Sequence, residues 1–169
     1  ISAEGMRFDL VAPEGNVPVE SALTGQHNVS NILAAAAACL ALGLTPAEVA
    51  QGIRELKSVP GRFEKVDLGQ PFLVVVDYAH TEDALARILE FARPVTRGRV
   101  LTLMGCGGDR DKSKRPRMAI AALEGSDRVY MTSDNPRTEA PEAILKEVEA
   151  GADQVEGGRA RSCTIVDRR

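Results

Sequence analysis

Arg99-Val100-Leu101-Thr102-Leu103-Met104 runs directly into Gly105-Cys106-Gly107-Gly108-Asp109-Arg110-Asp111-Lys112, and a second apolar stretch, Arg128 to Thr132, runs into Ser133-Asp134-Asn135-Pro136-Arg137. Each loop is followed by a helical pattern, Pro116 to Leu123 before Gly125 and Pro141 to Ala150 before Gly151. A strand, a polar or glycine-rich loop and a helix in that order form the unit from which parallel sheets are built. A third run, Phe72 to Val76, leads into Asp77-Tyr78-Ala79-His80-Thr81 and a helix over Asp83 to Ala92, and the three runs repeat at about 28 residues, the length of a β-α-β crossover. None of them alternates apolar with polar, which predicts strands buried on both faces. Ser162 to Val166 offers a fourth strand. The fold expected is α/β, a Rossmann-like, mainly parallel sheet with flanking helices.

Upstream the period changes. Arg7 to Val11 and Val17 to Ser21 flank the turn cluster Pro13-Glu14-Gly15-Asn16 and read as a β-hairpin. Asn28 to Leu42 reads as an Ala-rich helix, apolar almost all round and so expected to be buried, with Gly43 placed for a left-handed C-cap. Thr45-Pro46-Ala47-Glu48 is a capping box for a second helix running to about Leu56. Ser58-Val59-Pro60-Gly61 breaks the pattern, so the junction of two domains, 1–58 and 59–169, is expected there.

Composition restricts the function classes. The 169 residues are 44% hydrophobic and 27% charged, values of an ordinary globular protein. Lys and Arg number 21 against 24 Asp and Glu, a net charge of −3, which argues against a nucleic-acid partner. The longest apolar run, Ile32 to Leu44, is far shorter than the roughly 20 residues of a membrane span. Cys39, Cys106 and Cys163 are odd in number and form no C-x-x-C pair, which fits a reducing cytoplasm.

Ligands of an open α/β sheet bind outside the carboxyl ends of its strands, so the loops carry the functional candidates. Asp77 can accept hydrogen bonds from a ribose, or it and Thr81 can cap the next helix; spacing does not separate the two. His80 can donate to a phosphate or carry a proton, and a lone loop histidine is as readily structural. Gln26-His27-Asn28 crowds polar side chains onto the start of an apolar helix, a place that favours anions. The glycines of 105–108 let backbone approach a ligand closely, and the excess of positive charge from Asp109 to Arg117 points to an anionic one. Asn135-Pro136-Arg137 combines an amide, a rigid ring and a guanidinium whose fork fits a carboxylate, although Asp134-Asn135-Pro136 is equally a good turn.

Taken in order, Gly25-x-His27-Asn28-x-x-Asn31, Pro60-Gly61-Arg62, Val76-Asp77-Tyr78-Ala79-His80-Thr81, Gly105-Cys106-Gly107-Gly108-Asp109-Arg110-Asp111 and Asp134-Asn135-Pro136-Arg137 resemble the Mur ligase family, in its branch that adds the third amino acid of the peptidoglycan precursor. The resemblance extends from about Met6 to the end. It implies a cytoplasmic, monomeric ligase in which ATP, with Mg²⁺, phosphorylates the carboxylate of UDP-N-acetylmuramoyl-L-alanyl-D-glutamate and an incoming amine attacks the acyl phosphate. By the same resemblance His27, Asn28, Asn31, Arg62, Asp77 and His80 contact ATP, and Arg110, Asp134, Asn135 and Arg137 hold the amino acid. The arginine of Asp134-Asn135-Pro136-Arg137 implies meso-diaminopimelate rather than lysine.

Glu82 and Ser113 depart from the family's usual proline and glycine. No G-T-N-G-K-T phosphate loop, magnesium ligand set or G-x-G-H-E segment occurs in the 169 residues, so the chain is expected to be the tail of the central ATP-binding domain (1–58) joined to an incomplete amino-acid-binding domain (59–169). No catalytic residue is assigned within it, and it is expected to be inactive alone. A folylpolyglutamate synthetase-like ligase, a lysine-adding ligase and a non-catalytic binding module are the alternatives.

Overall fold

Alternating apolar residues make the first hairpin: β1 (Met6–Ala12) pairs antiparallel with β2 (Gly15–Ser21) in a register that sets Ala12 opposite Gly15 and puts Leu10 and Val19 inside. The computed structural model describes residues 5–168 and divides the chain into two units, one ending at Tyr78 and one beginning at Ala79. In the first, α1 (Gln26–Ala41) and α2 (Pro46–Glu55) close on the hairpin around Leu10, Val19, Ala36, Val49 and Ala50. The capping box at Thr45 is complete, Oγ1 accepting from the Glu48 amide while Glu48 accepts from the Thr45 amide. Such a cap contributes about 1 kcal/mol.

The expectation of an all-round buried first helix is corrected: among its residues only Asn28, Ile32 and Ala36 are buried, while Leu33 is 44% exposed, as is Leu42, just past its end, at 81%. The rest of its surface is largely alanine, whose single methyl costs little to leave in water. Later in the same unit lie β3 (Glu64–Val66) and β4 (Val74–Val76), paired antiparallel in a sheet of their own. The run Phe72 to Val76 was expected to join the parallel sheet. Only its last three residues are strand, and they pair with the polar Glu64-Lys65-Val66 instead. Composition reveals that a segment is extended, not which segment it pairs with.

In the second unit come α3 (Glu82–Val95), β5 (Leu101–Met104), α4 (Lys114–Gly125), β6 (Arg128–Thr132), α5 (Pro141–Ala152), the short α6 (Gly158–Arg161) and β7 (Ser162–Ile165). β5, β6 and β7 form a parallel sheet in that order, including the fourth expected strand. Met104, Val129 and Met131 are buried against Met118, Ala122 and Leu123 of α4 and Ile144, Leu145 and Val148 of α5. The two helices meet closely at Gly151, where a Cβ would sit 2.1 Å from the Pro116 carbonyl oxygen. Burial on both sheet faces is not observed. Leu101, Leu103 and Ile165 are 54%, 65% and 48% exposed, because α4 and α5 cover only the face that carries Met104, Val129 and Met131. No helix among the described residues is long and apolar enough to cross a membrane.

Candidate functional site

Parallel strands deliver the loops after β5 and β6 to the same edge of the sheet, and backbone chemistry stitches them together. The Gly108 amide donates to the Asn135 carbonyl at 2.9 Å, and Arg137 Nη1 donates back to the Gly108 carbonyl. The Asp109 carboxylate accepts from the Thr138 amide and hydroxyl at 3.2 and 2.8 Å, while the Asp109 amide donates to Glu139 Oε1 at 2.7 Å. Asp109 and Arg137 both sit at φ 52°, left-handed backbone that a residue with a Cβ adopts only under restraint.

The glycines serve this loop-to-loop approach. A Cβ on Gly105 would lie 2.6 Å from the Thr132 carbonyl oxygen, one on Gly108 1.9 Å from that of Pro136, and one on Gly107 2.9 Å from Arg137 Nη1. In the fold these glycines also make room for the neighbouring loop.

On the stitched loops, the side chains of Arg110 and Asn135 are exposed and make no hydrogen bond or ion pair among the described residues. Arg137 is exposed as well, held by one nitrogen on the Gly108 carbonyl. Asp134 faces Arg168, Oδ1 to Nη1 at 3.1 Å. The positive excess of 109–117 is largely taken up inside the unit: Lys112 meets Glu139 at 3.1 Å, Arg117 meets Glu82 at 3.0 Å, and Lys114 Nζ donates to the carbonyl of the exposed His80 at 2.8 Å.

Arg115 and Glu139 were not singled out by sequence reasoning. Arg115 looks like one more cation of a solvated run, yet its side chain is 0% exposed. Its guanidinium grips Glu139 with two nitrogens, Nη2 to Oε1 at 2.7 Å and Nη1 to Oε2 at 3.0 Å. Nη1 also meets Glu147 Oε2 at 2.7 Å, and Nη2 reaches the Gly107 carbonyl at 3.3 Å. Nε is buried without a partner. A bidentate pair of this kind is the strong form of the interaction. The Arg115 guanidinium, helped by the Asp109 amide, holds the Glu139 carboxyl at about 2. A carboxyl held below its usual value stabilises the fold fully above the unfolded-state value near 4.5 and loses that contribution as pH falls toward 2. Urea midpoints taken from pH 6 down to pH 2 should therefore fall more steeply for the native sequence than for Glu139→Gln below about pH 4.5; parallel profiles would refute this.

The first unit holds the remaining candidates. Asn28 is buried, its Nδ2 donating to the Thr24 carbonyl at 2.8 Å, and Asn31 Nδ2 donates to Asn28 Oδ1 at 3.3 Å. Asn31 and His27 are exposed. Gly25, at φ 90°, lies under the His27 ring, where a Cβ would come within 2.6 Å of Cε1. The turn Pro60-Gly61-Arg62 is tied to the end of β4: Asp77 Oδ2 accepts from the Phe63 amide at 2.7 Å, the Tyr78 amide donates to the Gly61 carbonyl at 2.8 Å, and the Arg62 guanidinium lies 5.6 Å from the centre of the Tyr78 ring. Thr81 caps α3 by accepting from the Ala84 amide. The part of the capping alternative that falls to Thr81 is thus observed. Among the described residues no three His, Cys, Asp or Glu side chains converge.

Residues 61–169 match the family model described as Mur ligase, glutamate ligase domain. The chain is 55% identical over 150 residues to the UDP-N-acetylmuramoyl-L-alanyl-D-glutamate--2,6-diaminopimelate ligase of Solibacter usitatus, covering 89% of this chain and 30% of that protein. It is 48% identical over 168 residues to the ligase of the same name from Geobacillus kaustophilus, covering 99% and 34%. A solved structure under that name is 40% identical with a TM-score of 0.62, over 99% of this chain and 34% of the other. Folylpolyglutamate synthase from Thermotoga maritima, 19% identical over 99% of this chain and 38% of its own, shares the fold with a TM-score of 0.73. The chain spans about a third of the length of the curated relatives it matches.

Proposed function

The chain belongs to the Mur ligase family, and on that premise we propose that it is part of an ATP-dependent ligase that adds meso-diaminopimelate to UDP-N-acetylmuramoyl-L-alanyl-D-glutamate. The observation that carries the reading is the stitched pair of loops after β5 and β6. It presents Arg110, Asn135 and Arg137 together at the ligand edge, with donors for carboxylates and, in the Asn135 amide oxygen, an acceptor for an ammonium group. Arg110 and Arg137 can each engage one carboxylate of an amino acid that has two. Asp134, paired with Arg168, stands beside them as a further acceptor.

Residues 1–58 are the end of the ATP-binding central domain and 59–169 the greater part of the amino-acid-binding domain. In the first unit Asn31, His27 and Arg62 present exposed polar groups for a nucleotide, Asn28 holding the Thr24 carbonyl and Asp77 the Phe63 amide; the role of His80 rests on the family resemblance. ATP, when bound, supplies the phosphoryl group that turns the dipeptide carboxylate into an acyl phosphate, with ADP released, and phosphate then leaves when the amine attacks. The enzyme works in the cytoplasm on small molecules, as a monomer.

The test is the full-length protein encoded with this segment. ADP release and amide formation should require both the muramoyl dipeptide and an amino acid, with kcat/KM for meso-diaminopimelate at least tenfold above that for L-lysine. Equal use of lysine would overturn the substrate assignment, and no ligation of either amino acid would favour the non-catalytic module.

A further inference from the structure

We propose that Arg115 and Glu139 are a positioning pair for amino-acid selection, with Glu139, gripped by the buried Arg115, holding the loop of residues 133–140 in the shape that presents Asn135 and Arg137. The inference rests on the ligase reading and adds two residues that touch no substrate in it.

The geometry has a fixed end and a dependent end. Arg115 stands in the first turn of α4, and Glu147 of α5 holds its Nη1 from the neighbouring helix. A guanidinium anchored by two packed helices is a rigid reference. Its outer edge meets Glu139, which belongs to neither helix and lies two residues beyond Arg137. The same Glu139 carboxylate accepts the Asp109 amide and the Lys112 ammonium, so the loop after β5 is registered against the same point. Asp109 returns two bonds to Thr138, and Gly108 and Arg137 bond each other on the far side. Left-handed backbone at Arg137 and Asp109 persists only where its surroundings over-determine it. The carboxylate of Glu139 lies at the centre of that determination.

The experiment uses the full-length ligase carrying Glu139→Gln, with Asp127→Asn as the control. Asp127 is also a hydrogen-bonded carboxylate of this unit, accepting from Arg93 at 2.7 Å and from the Val100 amide at 2.7 Å, but it lies before β6, at the end of the sheet opposite the loops. Steady-state kinetics should give Glu139→Gln a KM for meso-diaminopimelate raised at least tenfold and a KM for ATP within about twofold of the native value, while Asp127→Asn changes neither. An unchanged KM in Glu139→Gln, an equal rise with ATP, an equal rise in the control, or a Glu139→Gln protein that does not fold would each overturn the inference. In the last case the pair would be holding the domain, not the loop.

If the native protein adds no diaminopimelate at all, the ligase reading has failed, and hydrogen exchange in the same proteins decides the pair separately. Peptides covering 105–113 and 133–140 should exchange faster in Glu139→Gln and not in Asp127→Asn. No difference would overturn the positioning role.

Discussion

Arg137→Ala in the full-length protein should, on the ligase reading proposed above, lower kcat/KM for meso-diaminopimelate at least tenfold and leave the KM for ATP nearly unchanged. The Arg137 backbone is left-handed, one guanidinium nitrogen is occupied by the Gly108 carbonyl, and the residue is exposed on the loop that follows β6. A guanidinium pre-oriented by one hydrogen bond loses little further freedom when it meets a carboxylate. Removing one partner of a desolvated charge pair typically costs about 2–5 kcal/mol, and tenfold corresponds to only about 1.4 kcal/mol. Lysine lacks the second carboxylate, so its kcat/KM should fall much less. If both amino acids lost the same factor, Arg137 would be acting through Gly108 as a loop brace, and the turn reading of Asp134-Asn135-Pro136 would be sufficient.

Arg115→Met should destabilise the second unit by roughly 2–4 kcal/mol, read as the urea midpoint of the transition that exposes α4 and α5. Breaking a buried ion pair from one side usually costs about 3–5 kcal/mol, because the remaining charge is left without compensation. The lower figure follows from the partners, since Glu147 is 40% and Glu139 16% exposed and both can regain some water. The methionine also removes the unpartnered Nε, a small gain. Adding Glu139→Gln to Arg115→Met should recover part of the loss by removing one of the two facing carboxylates. A single variant within about 1 kcal/mol of the native sequence would show the pair to be no better than an apolar isostere.

Much of the architecture was legible residue by residue. The capping box at Thr45, the hairpin around Pro13-Glu14, the helix stop at Gly43, the runs that become β5, β6 and β7 and the two loops that follow β5 and β6 all follow from neighbours within a few positions. Caps, turns and hydrophobic periods are local devices, so a linear reading reaches them. Recognition of the family rested on five short motifs in order, two of them these loops, which are where chemistry is placed in an open sheet.

Tertiary structure alone decided three things. β4 pairs with a polar segment and not with the parallel sheet, because an extended stretch carries no label for its partner. One sheet face is open while the other is packed, although both carry apolar residues. Arg115, indistinguishable in sequence from Arg110, is buried among carboxylates 24 and 32 residues away, and the glycines of 105–108 lie close against the end of β6 and the loop after it. Whether a charge faces water or a partner, and which surface a glycine lets approach, depends on groups brought together only when the chain crosses the sheet and returns; that information resides in the contacts and not in the order of residues.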